Sequence, residues 1–144
     1  MTPVSVGEIV AHAARRAGCD LPVARPAQAD LVLGDPMLLE RACFNIADNA
    51  NRHAGGLAAV AVEVSDGRVL ARLDDRGPGI PTAERSRIFE RFATHRAGGS
   101  SSGTGLGLAL VAEAVTTHGG TVQYTDADST GARFVIDLPA WRGS

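Results

Sequence analysis

The chain of 144 residues contains no lysine, and all 14 of its basic side chains are arginines. A Walker-type phosphate loop needs a lysine on the phosphates, and protein kinases of the eukaryotic type need a strand lysine for the same purpose. Both designs are therefore excluded in their usual form. Any nucleotide that this chain binds must be held in another way.

Aromatic residues, cysteines and long apolar segments are also scarce. Aromatic side chains make up 4% of the residues against 44% for all hydrophobic types, so aliphatic side chains must build the core. Two cysteines, Cys19 and Cys43, are too few for a disulfide framework and fit a reducing cytosol, with Cys43 as a small buried hydrophobe. No apolar run reaches the ~18 residues of a membrane span, and no signal peptide opens the chain. A net charge of -2 argues against a nucleic-acid-binding module, which normally carries a basic face.

Hydrophobic periodicity predicts one domain over residues 1–144. Ser5 and Glu8 form a capping box at the start of a first helix, and Asp35-Pro36 is a strong start for a second one. The predicted elements are, in chain order, a helix over 5–18, a strand-like stretch over 21–33 interrupted by two prolines, a helix over 35–53, strands around 60–64 and 69–73, a short helix over 82–92, a helix over 105–118, and strands over 121–125 and 132–138. Together they predict a two-layer α/β sandwich, with helices on one face of a mixed, mostly antiparallel sheet.

Three polar side chains lie along one face of the second predicted helix. Asn45, Asn49 and Arg52 occupy positions i, i+4 and i+7, beside an apolar stripe that includes Cys43 and Ile46. Asparagine is a poor helix former, so two aligned asparagines suggest a function. A carboxamide oxygen suits Mg²⁺ completed by phosphates and water, and an arginine one turn further on would pair with phosphate oxygens. A solvated polar face explains this stretch equally well, and both interpretations stay open at this point.

A second motif, Asp75-Arg76-Gly77-Pro78-Gly79-Ile80, follows a predicted strand. Its glycines let the backbone turn sharply and let a flat ligand approach closely. An ionised carboxylate beside them can accept a hydrogen bond from an exocyclic amine such as that of adenine. An ordinary turn is the alternative, because Asp, Gly and Pro dominate turns.

A third motif, Gly103-Thr104-Gly105-Leu106-Gly107, opens the long helix near the end of the chain. Free amides and the positive end of the helix dipole converge there, which is typical of an anion site. The spacing differs from the dinucleotide-binding fingerprint, and no strand precedes it. A glycine-rich hinge or linker is the alternative interpretation.

In order and spacing, the three motifs resemble the N, G1 and G2 boxes of the ATP-binding domains of two-component sensor histidine kinases, which belong to the GHKL superfamily. Residues 88–92 are similar to the F box of that family. Gly34-Asp35-Pro36, His118-Gly119-Gly120 and residues 134–139 resemble its lead-in, closing helix and last strand. The resemblance covers residues 4–139. It implies a sandwich in which ATP lies between helices and a mobile lid over about 92–104.

The resemblance implies a role for each residue of the N box. Asn49 matches the asparagine that ligates Mg²⁺, and Asn45 matches the first asparagine of the box, near the phosphates. Arg52 stands where a basic side chain contacts phosphate, so Asn45 and Arg52 are the candidate catalytic residues. His53 stands where the family often has an aromatic residue beside the nucleotide.

The resemblance also implies roles for the two glycine-rich boxes. Asp75 matches the aspartate that reads adenine, with Gly77, Gly79 and Ile80 shaping the pocket. The lid hinge and the phosphate-facing backbone match Gly103, Thr104, Gly105, Leu106 and Gly107. Many family members have an arginine in the lid at the position of Thr94. Arg91 or Arg96 is expected to take over its contact with the γ-phosphate.

The implied function is binding of Mg²⁺ and ATP and donation of the γ-phosphoryl group to a histidine on a separate dimerisation hairpin, with a response regulator downstream. Alternatives are an ATPase of the same superfamily, an anti-sigma-factor serine kinase and a nucleotide sensor without activity. ATPases of the superfamily, and the serine kinases with them, carry a glutamate base four residues before the metal-binding asparagine. Asn45 occupies that place here and cannot accept a proton usefully. The serine kinases also usually lack the run at 88–92.

The expected setting is a catalytic fragment excised from a longer kinase. It is expected to be cytoplasmic and monomeric, with no nucleic-acid partner, while the parent protein is anchored in the cell membrane. The family's acceptor histidine is followed by an acidic residue, and none of the four histidines here meets that condition. The fragment is therefore not expected to phosphorylate itself.

Overall fold

Helices and strands alternate along the part of the chain that the computed structural model describes, which is residues 1–79, 82–85, 87–90, 107–126 and 131–143. In chain order the elements are β1 (Thr2–Ser5), α1 (Val6–Arg16), β2 (Val23–Ala24), β3 (Leu31–Gly34), α2 (Pro36–His53), β4 (Leu57–Ser65), β5 (Arg68–Asp75), α3 (Thr82–Arg85), α4 (Gly107–Thr117), β6 (Thr121–Asp126) and β7 (Ala132–Pro139). Among the described residues there is no helix with the length and hydropathy that crossing a bilayer requires.

The main sheet has five strands in the order β2-β4-β5-β7-β6. The β2–β4 pair is parallel, and the other three pairs are antiparallel. Helix α2 packs against both α1 and α4, and all three helices contact strands of this sheet. This arrangement confirms the predicted two-layer sandwich with a mixed, mostly antiparallel sheet.

Strict alternation of burial along β5 and β7 shows which face of the sheet carries the helices. In β7, every second side chain from Ala132 to Leu138 is buried, and Val69, Ala71 and Leu73 are buried in β5. Successive side chains of a strand point to opposite faces, so these residues form one continuous apolar surface. Leu39, Cys43, Ile46 and Ala50 of α2 belong to the same core, as their spacing predicts.

The strand-like stretch predicted over 21–33, with its two interrupting prolines, forms two separate strands that belong to different sheets. Strand β2 joins the five-stranded sheet, whereas β3 pairs with β1 in a separate two-stranded antiparallel sheet. Strand β2 contains only the two residues after Pro22 and ends before Pro26. Proline has no N–H group to donate to a sheet, so the two prolines limit this strand to a short segment.

The start of α1 is capped by two acceptors. The Ser5 hydroxyl accepts a hydrogen bond from the Glu8 N–H at 3.2 Å, as the capping-box pattern predicts. The second acceptor is the buried carboxylate of Asp30, which accepts from the Gly7 N–H at 2.8 Å and from the Ser5 hydroxyl at 2.7 Å. Asp30 lies 23 residues after Gly7, so no local pattern could have predicted this contact.

Cys43 lies in the middle of α2 and is 4% exposed. Burial, with a smaller contribution from the neighbouring charge of Glu40, raises the pKa of the Cys43 thiol to about 12. The thiol is therefore protonated and inert at neutral pH. The structure thus confirms its interpretation as a small buried hydrophobe.

The ring of His118 joins the end of α4 to the start of α2. Its Nδ1 lies 2.6 Å from the Ala114 carbonyl oxygen, and its Nε2 accepts from the Asp35 N–H at 3.0 Å. These two contacts together require a neutral ring with the proton on Nδ1. Asp35 is the N-cap of α2 and accepts from the Met37 and Leu38 N–H groups. The histidine therefore fixes the point from which α2, the helix of the N box, begins.

Replacing His118 by alanine should lower the free energy of unfolding by about 1–3 kcal/mol, because the partly buried Asp35 N–H loses its acceptor. Urea denaturation followed by circular dichroism measures this loss. His12→Ala is the matched control, since His12 is exposed on α1. Equal urea midpoints for the two variants would show that the His118 contacts contribute no stability.

Candidate nucleotide-binding site

Three chain segments meet at the end of β5. The Arg76 N–H donates to the Gly56 carbonyl at 3.0 Å, which joins the turn after β5 to the residues that follow α2. On the other side, the Ala132 N–H at the start of β7 donates to the Asp75 carboxylate at 3.1 Å. The second predicted motif is therefore enclosed between the end of the N-box helix and the last strand.

Asp75 is a buried carboxylate with a fixed orientation. It is 3% exposed, and its Oδ1 atom accepts from the Gly77 N–H at 3.0 Å and from the Ala132 N–H at 3.1 Å. Within the described ranges, no donor is bonded to Oδ2. The side chain therefore presents one acceptor oxygen at a defined position, which fits a ligand with a single N–H donor on its edge.

The two glycines that follow Asp75 have different environments. A Cβ atom on Gly77 would lie 2.6 Å from the Ala54 Cβ and 2.9 Å from the Ala54 Cα, so only glycine allows the turn to pack on the end of α2. Gly79 has a φ of +87°, and in the described part of the chain no atom lies within 4 Å of its ideal Cβ position. Gly77 thus holds the turn against the helix, while Gly79 borders open space.

The two asparagines of the N box differ in their contacts. The Asn45 amide nitrogen donates to the Gly107 carbonyl at 3.1 Å, which links α2 to the first residue of α4 across 62 positions of sequence. Asn49 is half-buried one turn further on, and its carboxamide makes no hydrogen bond with the residues that the structure describes. The structure therefore brings Gly107 to the N box, and among the described residues the Asn49 carboxamide has no bonded partner.

Arg52 and His53 lie in the last turn of α2. The Arg52 Nε atom pairs with the Asp48 carboxylate at 2.9 Å, and the Arg52 side chain is 44% exposed. His53 is half-buried and directly precedes Ala54, the residue on which Gly77 packs. Both side chains therefore lie at the end of α2 that adjoins the Asp75 turn.

Several predicted site residues lie outside the described part of the chain. The F box is described in part: Ile88 is 5% exposed, and the Phe89 ring meets the Phe134 ring edge-on at 6.1 Å. The predicted lid over 92–104 falls entirely outside the described residues. So do Ile80, Arg91, Thr94, Arg96, Gly103, Thr104, Gly105 and Leu106.

Sequence reasoning missed the contribution of Gly131 and Ala132. A Cβ atom on Gly131 would lie 2.2 Å from the Asp75 carbonyl oxygen, and the Ala132 N–H binds the Asp75 carboxylate. Both contacts are made by backbone atoms, which carry no residue-type signal. A glycine directly before the predicted last strand was the only available indication.

Residues 34–142 match the family described as histidine kinase-, DNA gyrase B- and HSP90-like ATPase. The chain belongs to this family. Two similar curated proteins are named as histidine kinases of the sensor type or sensor-like. The sensor-type histidine kinase PrrB of Mycobacterium tuberculosis is 38% identical over 142 residues, which are 95% of this chain and 32% of the relative. The sensor-like histidine kinase SenX3 of the same organism is 35% identical over 153 residues, which cover 97% of this chain and 37% of the relative. The chain thus spans about a third of the length of these curated relatives.

Solved structures of this family agree over nearly the whole chain. The crystal structure of the ATP binding domain of PrrB from Mycobacterium tuberculosis matches with a TM-score of 0.75 at 34% identity, covering 98% of both chains. The mycobacterial sensor histidine kinase MprB matches with the same TM-score at 33% identity, covering 95% of both chains. The present chain is accordingly a domain of the histidine-kinase type and corresponds over nearly its whole length to the ATP binding domain of PrrB.

Proposed function

We propose that this domain binds ATP with Mg²⁺ and donates the γ-phosphoryl group to a histidine on the dimerisation hairpin of a two-component sensor kinase. A response regulator acts downstream, and the domain works on the cytoplasmic side of a membrane-anchored parent. The observation that carries the proposal is the geometry of Asp75, a buried carboxylate with one oxygen held by two amides and the other bonded to no donor among the described residues.

Adenine fits this carboxylate better than guanine does. Asp75 Oδ2 can accept a hydrogen bond from the exocyclic amine of adenine. In guanine a carbonyl oxygen occupies the same place on the ring, and two acceptors would repel each other. Gly77 keeps the turn close to α2, and no described atom lies within 4 Å of the ideal Cβ position of Gly79, where a flat ring would lie.

The donor set near the N box fits Mg²⁺ bound together with phosphates. The described residues contain no group of three His, Cys, Asp or Glu side chains that could hold a metal ion. Mg²⁺ is commonly held by one or two protein oxygens together with substrate phosphates and water. Asn49 supplies one such oxygen, and the bound ion would neutralise charge on the transferred phosphoryl group. Arg52, one turn further on, would turn from Asp48 towards a phosphate oxygen.

Phosphoryl transfer to another protein group is favoured over hydrolysis because of Asn45. A carboxamide cannot remove a proton from water at neutral pH, and its nitrogen is bonded to the Gly107 carbonyl. Asn45 would instead tie the N box to the start of α4, where helix-terminal amides face the phosphates. Production of ADP in the absence of an acceptor is accordingly expected to be slow.

Asp75→Asn should lower the affinity for ATP roughly tenfold or more, because a hydrogen bond to a charged group contributes about 1.5–3 kcal/mol. The two amides that hold Oδ1 should keep the asparagine oxygen in that place, so that its NH₂ group replaces Oδ2. This donor faces the adenine amine unfavourably and the guanine carbonyl favourably. The ratio of ATP to GTP affinity should therefore fall further than the ATP affinity alone.

Calorimetric titration of both nucleotides measures the effect. Asp74→Asn is the matched control, because Asp74 lies one residue earlier on the opposite face of β5 and pairs with Arg133. It should leave the ratio of affinities unchanged. Equal affinities of the unmodified domain for ATP and GTP would rule out this role of Asp75.

A further inference from the structure

We infer that the start of β7 is a positioning element for base recognition: Gly131 and the Ala132 N–H set the place of the Asp75 carboxylate and so determine the preference for adenine. The inference rests on the proposed function and names residues outside the three boxes. Neither Gly131 nor Ala132 has to touch the nucleotide for this role. Both act through Asp75.

Two amides from different parts of the chain hold Asp75 Oδ1. The Gly77 amide belongs to the same turn as Asp75, two residues on, and therefore moves together with it. The Ala132 amide lies 57 residues away in sequence, on a neighbouring strand. Of these two bonds, the second ties the carboxylate to a part of the fold other than its own turn.

The segment that supplies the second amide is firmly anchored. The Ala132 side chain is fully buried, and so is that of Phe134 two residues later. The Phe134 ring meets the Tyr124 ring edge-on at 4.8 Å and the Phe89 ring at 6.1 Å. The start of β7 thus provides a fixed reference point, and the direction of Asp75 Oδ2 follows from it.

Gly131 brings this segment close enough for the bond to form. Its φ of +91° lies in the region that favours glycine. A Cβ atom there would lie 2.2 Å from the Asp75 carbonyl oxygen and 3.1 Å from the Gly77 carbonyl oxygen. Both neighbours are backbone atoms, so they could not move aside without moving the Asp75 turn itself.

Gly131→Ala should therefore displace the Ala132 amide from Asp75 and loosen the carboxylate. The ratio of ATP to GTP affinity should fall by roughly fivefold or more, because one of the two hydrogen bonds that orient a charged acceptor is lost. Gly18→Ala is the matched control. Gly18 also has a positive φ, of +81°, and within the described residues no atom lies within 4 Å of its ideal Cβ position. The Gly18→Ala variant therefore introduces the same kind of backbone strain at a position away from the candidate site.

A second variant removes the hydrogen bond without adding an atom. Incorporation of lactic acid in place of Ala132 converts the amide between residues 131 and 132 into an ester, which has no N–H group and keeps the methyl side chain. This variant avoids the steric effect at Gly131 and tests the hydrogen bond by itself. The same fall in the ratio is expected for the ester and for Gly131→Ala.

Calorimetry of ATP and GTP binding, in the original and in the Asp75→Asn background, separates the possible results. Three results together support the inference. The ratio of ATP to GTP affinity falls in the ester and Gly131→Ala variants, and it stays constant in Gly18→Ala. It also does not change further when Asp75 is already Asn. A proportional loss of both affinities at a constant ratio, or an additional loss of the ratio in the Asp75→Asn background, overturns it. If Asp75→Asn itself leaves the ratio unchanged, the proposed reading of adenine fails instead, and the inference fails with it.

Discussion

Replacing Asn49 by alanine in the full-length kinase is expected to slow labelling of the acceptor histidine at least about a hundredfold. The same change in the isolated domain should remove the dependence of ATP binding on Mg²⁺. A metal ion that stabilises charge in the transition state contributes several kcal/mol, and each 1.36 kcal/mol corresponds to about tenfold in rate. Loss of the ligand that places the ion should therefore affect the rate more than any other single change in this helix.

The reason for so large an effect is that the described residues offer no ready-made metal cage around Asn49. No cluster of three His, Cys, Asp or Glu side chains suitable for a metal ion occurs in the described ranges. Asn49 is half-buried, and its carboxamide is not bonded to any described residue. With most of the coordination supplied by phosphates and water, removal of the protein oxygen should leave the ion without a defined position.

Asn51→Ala is the appropriate control for this experiment. Asn51 lies two residues further along the same helix, and its amide nitrogen donates to the Ala17 carbonyl at 2.8 Å, which joins α2 to the end of α1. Its replacement should lower stability while the Mg²⁺ dependence of binding persists. The proposed metal role is wrong if Asn49→Ala retains a normal labelling rate, or if both variants lose their Mg²⁺ dependence to the same extent.

Local chemistry explains which features could be predicted from the sequence. Helix caps act within a few positions of the residues they bind, so Ser5 and Asp35 were identified correctly. The alternation of β7 and the apolar stripe of α2 depend only on periodicity, and both confirm the predicted core. The order and spacing of the three boxes were sufficient to recognise the family.

Contacts between a carboxylate and a backbone amide that are far apart in sequence explain the rest. Asp30 caps α1 from 23 residues away, and the Ala132 amide binds Asp75 across 57 residues. Such contacts depend on the register of the strands and on the path of the loops. Neither can be predicted from the residue types alone. The separate β1–β3 sheet was missed for the same reason, because the pairing of Val4 with Val32 becomes visible only once α1 has reversed the chain. For the candidate site, the sequence predicted the side chains that are proposed to read the ligand, whereas it did not predict the backbone groups of β7 that hold Asp75.

The surroundings of the histidines lead to the second large effect, the absence of self-phosphorylation in the isolated domain. His118 is 7% exposed, and both ring nitrogens are engaged, with the Ala114 carbonyl and the Asp35 amide. His53 is half-buried at the end of α2, beside the candidate site. His12 is exposed on α1, an element that contributes no residue to that site. His95 lies outside the described residues.

Phosphoryl transfer needs the accepting nitrogen in line with the γ-phosphate at about 3–3.5 Å, and such positioning can contribute about 7–11 kcal/mol to the rate. Neither ring nitrogen of His118 can take this position without breaking a contact that fixes α2. His12 lies on α1, which contributes no described residue to the candidate site. None of the four histidines is followed by an acidic residue that would orient its imidazole and assist its proton. The isolated domain should therefore bind ATP. It should form phosphohistidine several orders of magnitude more slowly than the full-length kinase does.

Acid-labile radioactive phosphate on the isolated domain, incubated with γ-labelled ATP, measures this directly. A purified dimerisation hairpin from the parent kinase, added in trans, should become labelled slowly, because separation lowers the effective concentration of the acceptor relative to the tethered kinase. The Asn49→Ala domain mixed with the same hairpin is the control and should transfer nothing detectable. If the domain alone gained label at a rate comparable to that of the full-length kinase, one of its own histidines would be an acceptor. Replacement of His12, His53 and His95 by glutamine, one at a time, would then identify it, while His118→Gln would have to be compared at equal folded fraction because that ring also supports the start of α2.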